Sequence, residues 1–226
     1  MRVHAEFSRS ADTYEQYHMI QQKVVNKLIG SISDMPQKIL DIGCGSGAVF
    51  KAIDWELEHF TALDFSESML SKHPVSKDIT CKLADFNKED AFEKISGDFD
   101  RIISASALQW AVHLDRVFAA IAAFKAPVSL AIFTCNTFES LYKCAKLKPI
   151  LRCSDEVITL AKKHFDAHFE VVTYTLAFES PREMFRYIKK SGVSGGRRVL
   201  SYKQTKRLMQ EYPHNYLEFE VLFICN

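Results

Sequence analysis

Three carboxylates stand where apolar runs give way to turns: Asp41 in Lys38-Ile39-Leu40-Asp41-Ile42, Asp64 in Leu63-Asp64-Phe65-Ser66, and Asp85 in Ala84-Asp85-Phe86. Between the first two lies Gly43-Cys44-Gly45-Ser46-Gly47, a glycine-rich turn that lets a backbone bend sharply and approach a ligand closely. Nicotinamide and flavin enzymes carry G-x-G-x-x-G/A after a strand, and Gly43 to Ala48 satisfies that loose pattern. Asp41 argues against a pyrophosphate, because a carboxylate just before the first glycine repels phosphate and suits a cationic ligand instead. Asp64, about twenty residues beyond the loop, is placed to accept from ribose hydroxyls. Asp85 is placed to accept from an adenine amino group beside Phe86. Each acid taken alone is equally a surface residue or a helix cap; three at successive strand ends are a poor match to chance.

The elements that position these acids alternate. Short β-branched or apolar runs at 38–42, 59–63, 79–83, 99–104 and 127–134 read as strands, with helical stretches at 66–72 and 113–124 between them. That alternation predicts βαβ crossovers and a mostly parallel, doubly wound sheet. Ahead of it, Tyr14 to Leu28 has Tyr17, Ile20, Val24 and Leu28 near helical spacing, and residues 1–30 read as a helix lidding the site. Beyond residue 134 the pattern changes: 137–168 and 181–211 read as helical, and 171–178 and 216–224 as strands. Seven strands result. The two helical stretches are expected as insertions capping the carboxyl edge, where ligands of such sheets bind. A single domain over 1–226 is expected, since no repeat or Pro/Gly/Ser-rich linker divides the chain.

Composition narrows the field. No apolar run is long enough to span a bilayer, and the first residues lack the apolar core of a signal peptide, so a cytoplasmic setting is expected. The six cysteines are scattered without C-x-x-C pairs; reduced, mostly buried thiols and no metal site are expected. The net charge of +1 conceals an uneven spread. Residues 1–139 carry 14 basic and 19 acidic side chains, whereas residues 140–212 carry 15 basic and 7 acidic. Such a segment faces an acidic partner or is a solvated helical surface.

On these motifs the chain resembles the class I S-adenosylmethionine-dependent methyltransferases. The resemblance implies S-adenosylmethionine as cofactor, with Asp41, Gly43 and Gly45 at the methionine part, Asp64 at the ribose, and Asp85 at the adenine between Phe65 and Phe86. Gln21 and Ser104 are expected beside the same ligand. Phe124-Lys125-Ala126-Pro127 replaces the family's usual Leu-Lys-Pro-Gly-Gly turn. Phe7 to Ala11 with Tyr14, Gln21, Asp64 to Leu70, Ser104 to Trp110, and Gly192 to Arg198 leading to Tyr216–Phe223 are similar to the branch that methylates malonyl-acyl-carrier protein in biotin synthesis. The Gln109-Trp110 pair also occurs in trans-aconitate methyltransferases.

That branch implies transfer to the free carboxylate of a malonyl thioester, with acyl carrier protein as partner and no nucleic acid or membrane. A carboxylate of ordinary pKa near ~4 is already ionised at neutral pH, so no general base is expected among the eight histidines. Tyr14, Gln109, Trp110 and Arg198 are the expected substrate contacts, Arg198 as the bidentate anchor with Arg197 its rival. Lys143, Lys146, Lys148 and Arg152, then Lys189, Lys190, Arg197, Arg198, Lys203, Lys206 and Arg207, form the expected docking face for an acidic carrier. The competing expectations are a methyltransferase of a small free acid and a non-catalytic cofactor-binding partner.

Overall fold

The apolar run at residues 38–42 has no polar face, as expected of a strand covered on both sides, and it becomes the central strand β1 (Lys38–Ile42), four of whose five residues are buried. A computed structural model describes residues 19–93, 95–190 and 202–226. In it β1, β2 (His59–Asp64), β3 (Ile79–Leu83), β4 (Arg101–Ala105) and β5 (Val128–Phe133) run parallel. The last two strands, β6 (His168–Ala177) and β7 (Tyr216–Cys225), complete a seven-stranded sheet in the order β3-β2-β1-β4-β5-β7-β6. β7 is antiparallel to both neighbours. The chain therefore steps outward from β1 to β3, returns, and restarts at β4. The β1/β4 boundary is the switch point at which such sheets open a crevice.

Helices cover both faces. On one, α1 (Met19–Gly30) buries Ile20, Val24, Val25, Leu28 and Ile29, beside α2 (Ala48–Ala52). This is a correction to the lid expected over 1–30. Five apolar side chains on one stripe hold residues 19–30 against the sheet as a core layer, while residues 1–18 lie outside the described residues. On the other face α4 (Leu114–Ala122), which follows the one-turn α3 (Glu67–Leu70), buries Leu114, Val117, Phe118 and Ile121 at i, i+3, i+4, i+7.

The basic stretch 137–168 divides into α5 (Glu139–Ala145) and α6 (Ser154–Ala161). Only α5 packs at the start of β7, beyond the carboxyl edge; α6 joins α4 on the sheet face through Val157, Ala161 and Phe165. Phe165 meets Phe118 edge-on, with ring centroids 5.4 Å apart. Then α7 (Pro181–Lys190) and α8 (Tyr202–Glu211) pack on each other, with Met184 and Tyr187 of α7 buried against β7. Phe138, Phe219 and Tyr187 stack edge to face there.

The thiol expectation needs correcting as well. Cys135 and Cys153 are joined in a disulfide, and Cys81 is exposed. The Cys135 amide donates to the Arg152 carbonyl at 2.9 Å, bringing the two Cα atoms to 4.6 Å, within the span of a disulfide. Among the described residues no helix is long and apolar enough to cross a membrane.

Candidate functional site

Parallel register turns three separate sequence signals into one edge. Ile42 lies opposite Leu63, and Asp64 opposite Leu83, so the ends of β1, β2 and β3 are level. The loop after β1 is tied to β2, with the Gly43 and Cys44 amides both donating to the Leu63 carbonyl at 2.7 and 3.1 Å. Gly43 has a left-handed φ of +76°, and a Cβ there would sit 2.3 Å from the Ala107 Cβ. Only glycine lets the loop lie this close to the turn after β4.

Asp64 closes the cradle. One of its oxygens accepts from the Gly45 amide at 2.9 Å and the other from the Ser66 amide at 2.8 Å. Burial nevertheless raises its carboxyl above the usual range, outweighing those hydrogen bonds, and the charge of Asp85 adds to the rise. Asp41 is more extreme. It is 0% exposed, and neither of its oxygens has a hydrogen-bond partner among the described residues. Burial first, and then the charge of Asp64, push its carboxyl well above the usual carboxylate range.

A buried carboxylate without a donor is a defect in an isolated protein and an asset where a cation binds. The residues therefore fit S-adenosylmethionine: an ammonium supplies what Asp41 lacks, and Asp64 has lone pairs left for ribose hydroxyls. Half-buried Asp85 accepts from the Asn87 amide at 3.0 Å, and half-buried Phe65 follows Asp64. Phe86 is 6% exposed and packs in the core beneath Gly43.

The β4 side is distributed differently from the expectation. Ser104 is fully buried and donates to the Ile42 carbonyl at 2.7 Å, so its hydroxyl staples β4 to β1. Gln109, in the helical turn Leu108–Trp110, donates through Nε2 to the Ser106 carbonyl at 2.6 Å, leaving its buried Oε1 without a partner among the described residues. Half-buried Trp110 ends the same turn. Gln21, near the start of α1, likewise carries a covered Oε1 without a partner. Tyr14 and Arg198, and Arg197 with them, lie outside the described residues.

Two features were not visible in residue types. Ser106 is left-handed, with φ +62°. Glu220 on β7 is buried in a polar cluster, accepting from Thr134 at 2.5 Å and Asn136 at 2.8 Å just past β5. Two glutamates, Glu218 and Glu220, interrupt the apolar pattern of this strand and were the available signal for the second; nothing distinguished Ser106 from Ser104.

Known proteins agree with this geometry. Residues 40–127 match the model of a methyltransferase domain. A malonyl-[acyl-carrier protein] O-methyltransferase of Chlorobium phaeovibrioides is 26% identical over 209 residues, 86% of this chain and 80% of the relative. The enzyme of that name from Neorickettsia risticii is 26% identical over 98% of this chain and 94% of its own length. A solved Bacillus halodurans protein proposed to be a methyltransferase superposes with a TM-score of 0.62 at 11% identity, covering 90% of this chain and 97% of its own, a likeness of fold. With a methyltransferase domain at the cradle, a class I fold around it and a site that fits the cofactor, the chain is an S-adenosylmethionine-dependent methyltransferase.

Proposed function

We propose that this methyltransferase esterifies the free carboxylate of a malonyl thioester carried on an acyl carrier protein, a step of biotin synthesis. Methyl transfer itself rests on one observation above the others, the fully buried and unpartnered Asp41 carboxylate under the glycine loop. The substrate is supported by the relatives, whose shared name runs over most of both chains. S-adenosylmethionine supplies an electrophilic methyl, which the acceptor oxygen takes with its own lone pair while the C–S bonding pair stays on sulfur.

The protein has no proton to move, because the acceptor is already an anion at neutral pH. Its task is to hold the acceptor oxygen in line with the methyl and to keep water out. The turn after β4, with Gln109 and Trp110, forms the floor for this. Beside it α5 and α7 pack against β7, two strands from β4, and α8 packs on α7.

Exposed Lys146 and Lys148 at the end of α5 and exposed Arg186 on α7 face solvent, as a docking surface for an acidic carrier requires. Two other cap cations are engaged within their own segments: Lys143 with Glu139 at 2.7 Å, and Arg152 with Glu156 at 3.4 Å. That partial neutralisation favours a second reading, a small free acid such as trans-aconitate as acceptor, which needs no carrier face. Incubation with labelled cofactor and a panel of malonyl thioesters and free acids separates the two. Label in a malonyl ester supports the first reading; label only in free acids overturns it.

A further inference from the structure

Asp64, Asp85 and Asp41 absorb the cofactor, but the turn after β4 carries a second set of unfilled polar atoms that it does not use. Ser106 holds φ +62°, a conformation that strains a non-glycine residue and gathers at functional sites. Its backbone is fully engaged. The amide donates to the Ala131 carbonyl at 2.9 Å, and the carbonyl accepts from Gln109 Nε2 at 2.6 Å. Its hydroxyl, by contrast, is covered and has neither donor nor acceptor among the described residues. Gln109, 9% exposed, carries the second such atom, Oε1, clamped in place by that same Nε2 bond. Glycine takes a left-handed turn at no steric cost, and Met35, Lys125, Phe138 and Lys146 share the conformation here, so it is the unfilled hydroxyl that sets Ser106 apart. Serine here keeps a hydroxyl that nothing among the described residues uses.

The sheet order says what the turn borders. The adenine, ribose and methionine acids stand at the ends of β3, β2 and β1, which are consecutive neighbours in the sheet. The strand next in line is β4, paired to β1 on its far side, so the reactive end of a ligand laid across that row is toward the β4 turn. Ala107 of that turn already touches the space Gly43 leaves empty.

We infer that Ser106 is an acceptor-binding residue: its Oγ–H donates a hydrogen bond to a carboxylate oxygen of the acid being methylated, and Gln109 holds the Ser106 backbone so that the hydroxyl points at it. The inference rests on a carboxylate acceptor and deepens the proposed function. It does not require the acid to be a malonyl thioester.

Ser106→Ala and Ser106→Gly decide it. Alanine keeps the backbone strain of serine and loses only the hydroxyl; glycine loses the hydroxyl and relaxes the strain. Both variants are expected to bind S-adenosylhomocysteine within about twofold of wild type. Both are expected to lose about 10- to 100-fold in kcat/KM for the carboxylate acceptor, the scale of one hydrogen bond to a charged group, and to bind the acceptor correspondingly more weakly in calorimetry of the S-adenosylhomocysteine complex. Full activity in the alanine variant overturns the inference and leaves Ser106 a turn residue. A parallel loss of S-adenosylhomocysteine affinity also overturns it, by moving the hydroxyl to the cofactor. If wild type methylates a small free acid and no malonyl thioester, and the variants lose that activity, the substrate proposal falls and this inference stands. A wild type that methylates no carboxylate removes both.

Discussion

Replacing Asp41 by asparagine keeps the shape of a buried side chain and removes its charge. In the folded, ligand-free protein, burial and the neighbouring Asp64 make this carboxyl hold its proton far more tightly than in the unfolded chain, where it titrates near ~3.9. The folded state thus binds more protons than the unfolded state above that pH, and stability falls as pH rises, from ~3.9 up to the raised folded value. Each pH unit in that window costs about 1.4 kcal/mol, which bounds the cost at pH 7 to about 4 kcal/mol. Asparagine avoids it but leaves a buried amide short of partners, at about 1 kcal/mol. The variant should therefore be more stable than wild type by about 1–3 kcal/mol at pH 7, an increase in Tm of about 2–4 °C per kcal/mol in a chain of this size. The gain should vanish near pH 4. Cofactor binding should move the other way: S-adenosylhomocysteine should bind at least about 10-fold more weakly, because its ammonium loses an ionised partner. Wild-type binding near neutral pH should release a proton, visible as a calorimetric heat that depends on the ionisation enthalpy of the buffer; the variant should release none. An asparagine variant that is less stable at pH 7, or that binds S-adenosylhomocysteine as tightly as wild type, would refute the assignment of Asp41 as the cation's partner.

Asp64→Ala should weaken S-adenosylhomocysteine binding by about 1–3 kcal/mol, since it removes the carboxylate proposed to hold the ribose and frees the Gly45 and Ser66 amides; calorimetry on the folded variant checks this. With cofactor and acceptor saturating, the rate should be nearly flat from about pH 6.5 to 8.5, because an ordinary carboxylate acceptor is fully ionised there. A steep rise with a midpoint near neutrality that disappears with one side chain would reveal a missed base. Reversing Lys146, Lys148 and Arg186 together should raise KM for a carrier-bound malonyl substrate and change malonyl-coenzyme A much less, with the carrier's advantage shrinking at high salt, where the screening length falls below about 8 Å. Equal effects on both substrates, or none on either, would reduce that face to a solvated surface.

The placement of the acids and the glycine turn at one edge was legible in residue order, because its signals are local. Asp41, Gly43, Gly45, Asp64 and Asp85 are read from strand ends and a glycine turn, and a parallel sheet with level strands has no other place to put them than one edge. Strand positions followed from apolar runs for the same reason. What the tertiary structure alone decided involves partners distant in sequence. Ser104 and Ser106 are indistinguishable as residues, yet one is spent on the Ile42 carbonyl of a neighbouring strand and the other is turned left-handed by the Ala131 carbonyl and Gln109. Arg101 is buried, bonded to Asp34 and to the carbonyl of Asn226, partners far from it in sequence. Cys135 meets Cys153 where its amide donates to the Arg152 carbonyl, while Glu220, on a strand inserted between β5 and β6, holds the flanking Thr134 and Asn136. Periodicity reports which side of an element is apolar; it carries no information about which element arrives to cover that side, and these assignments depend on that arrival.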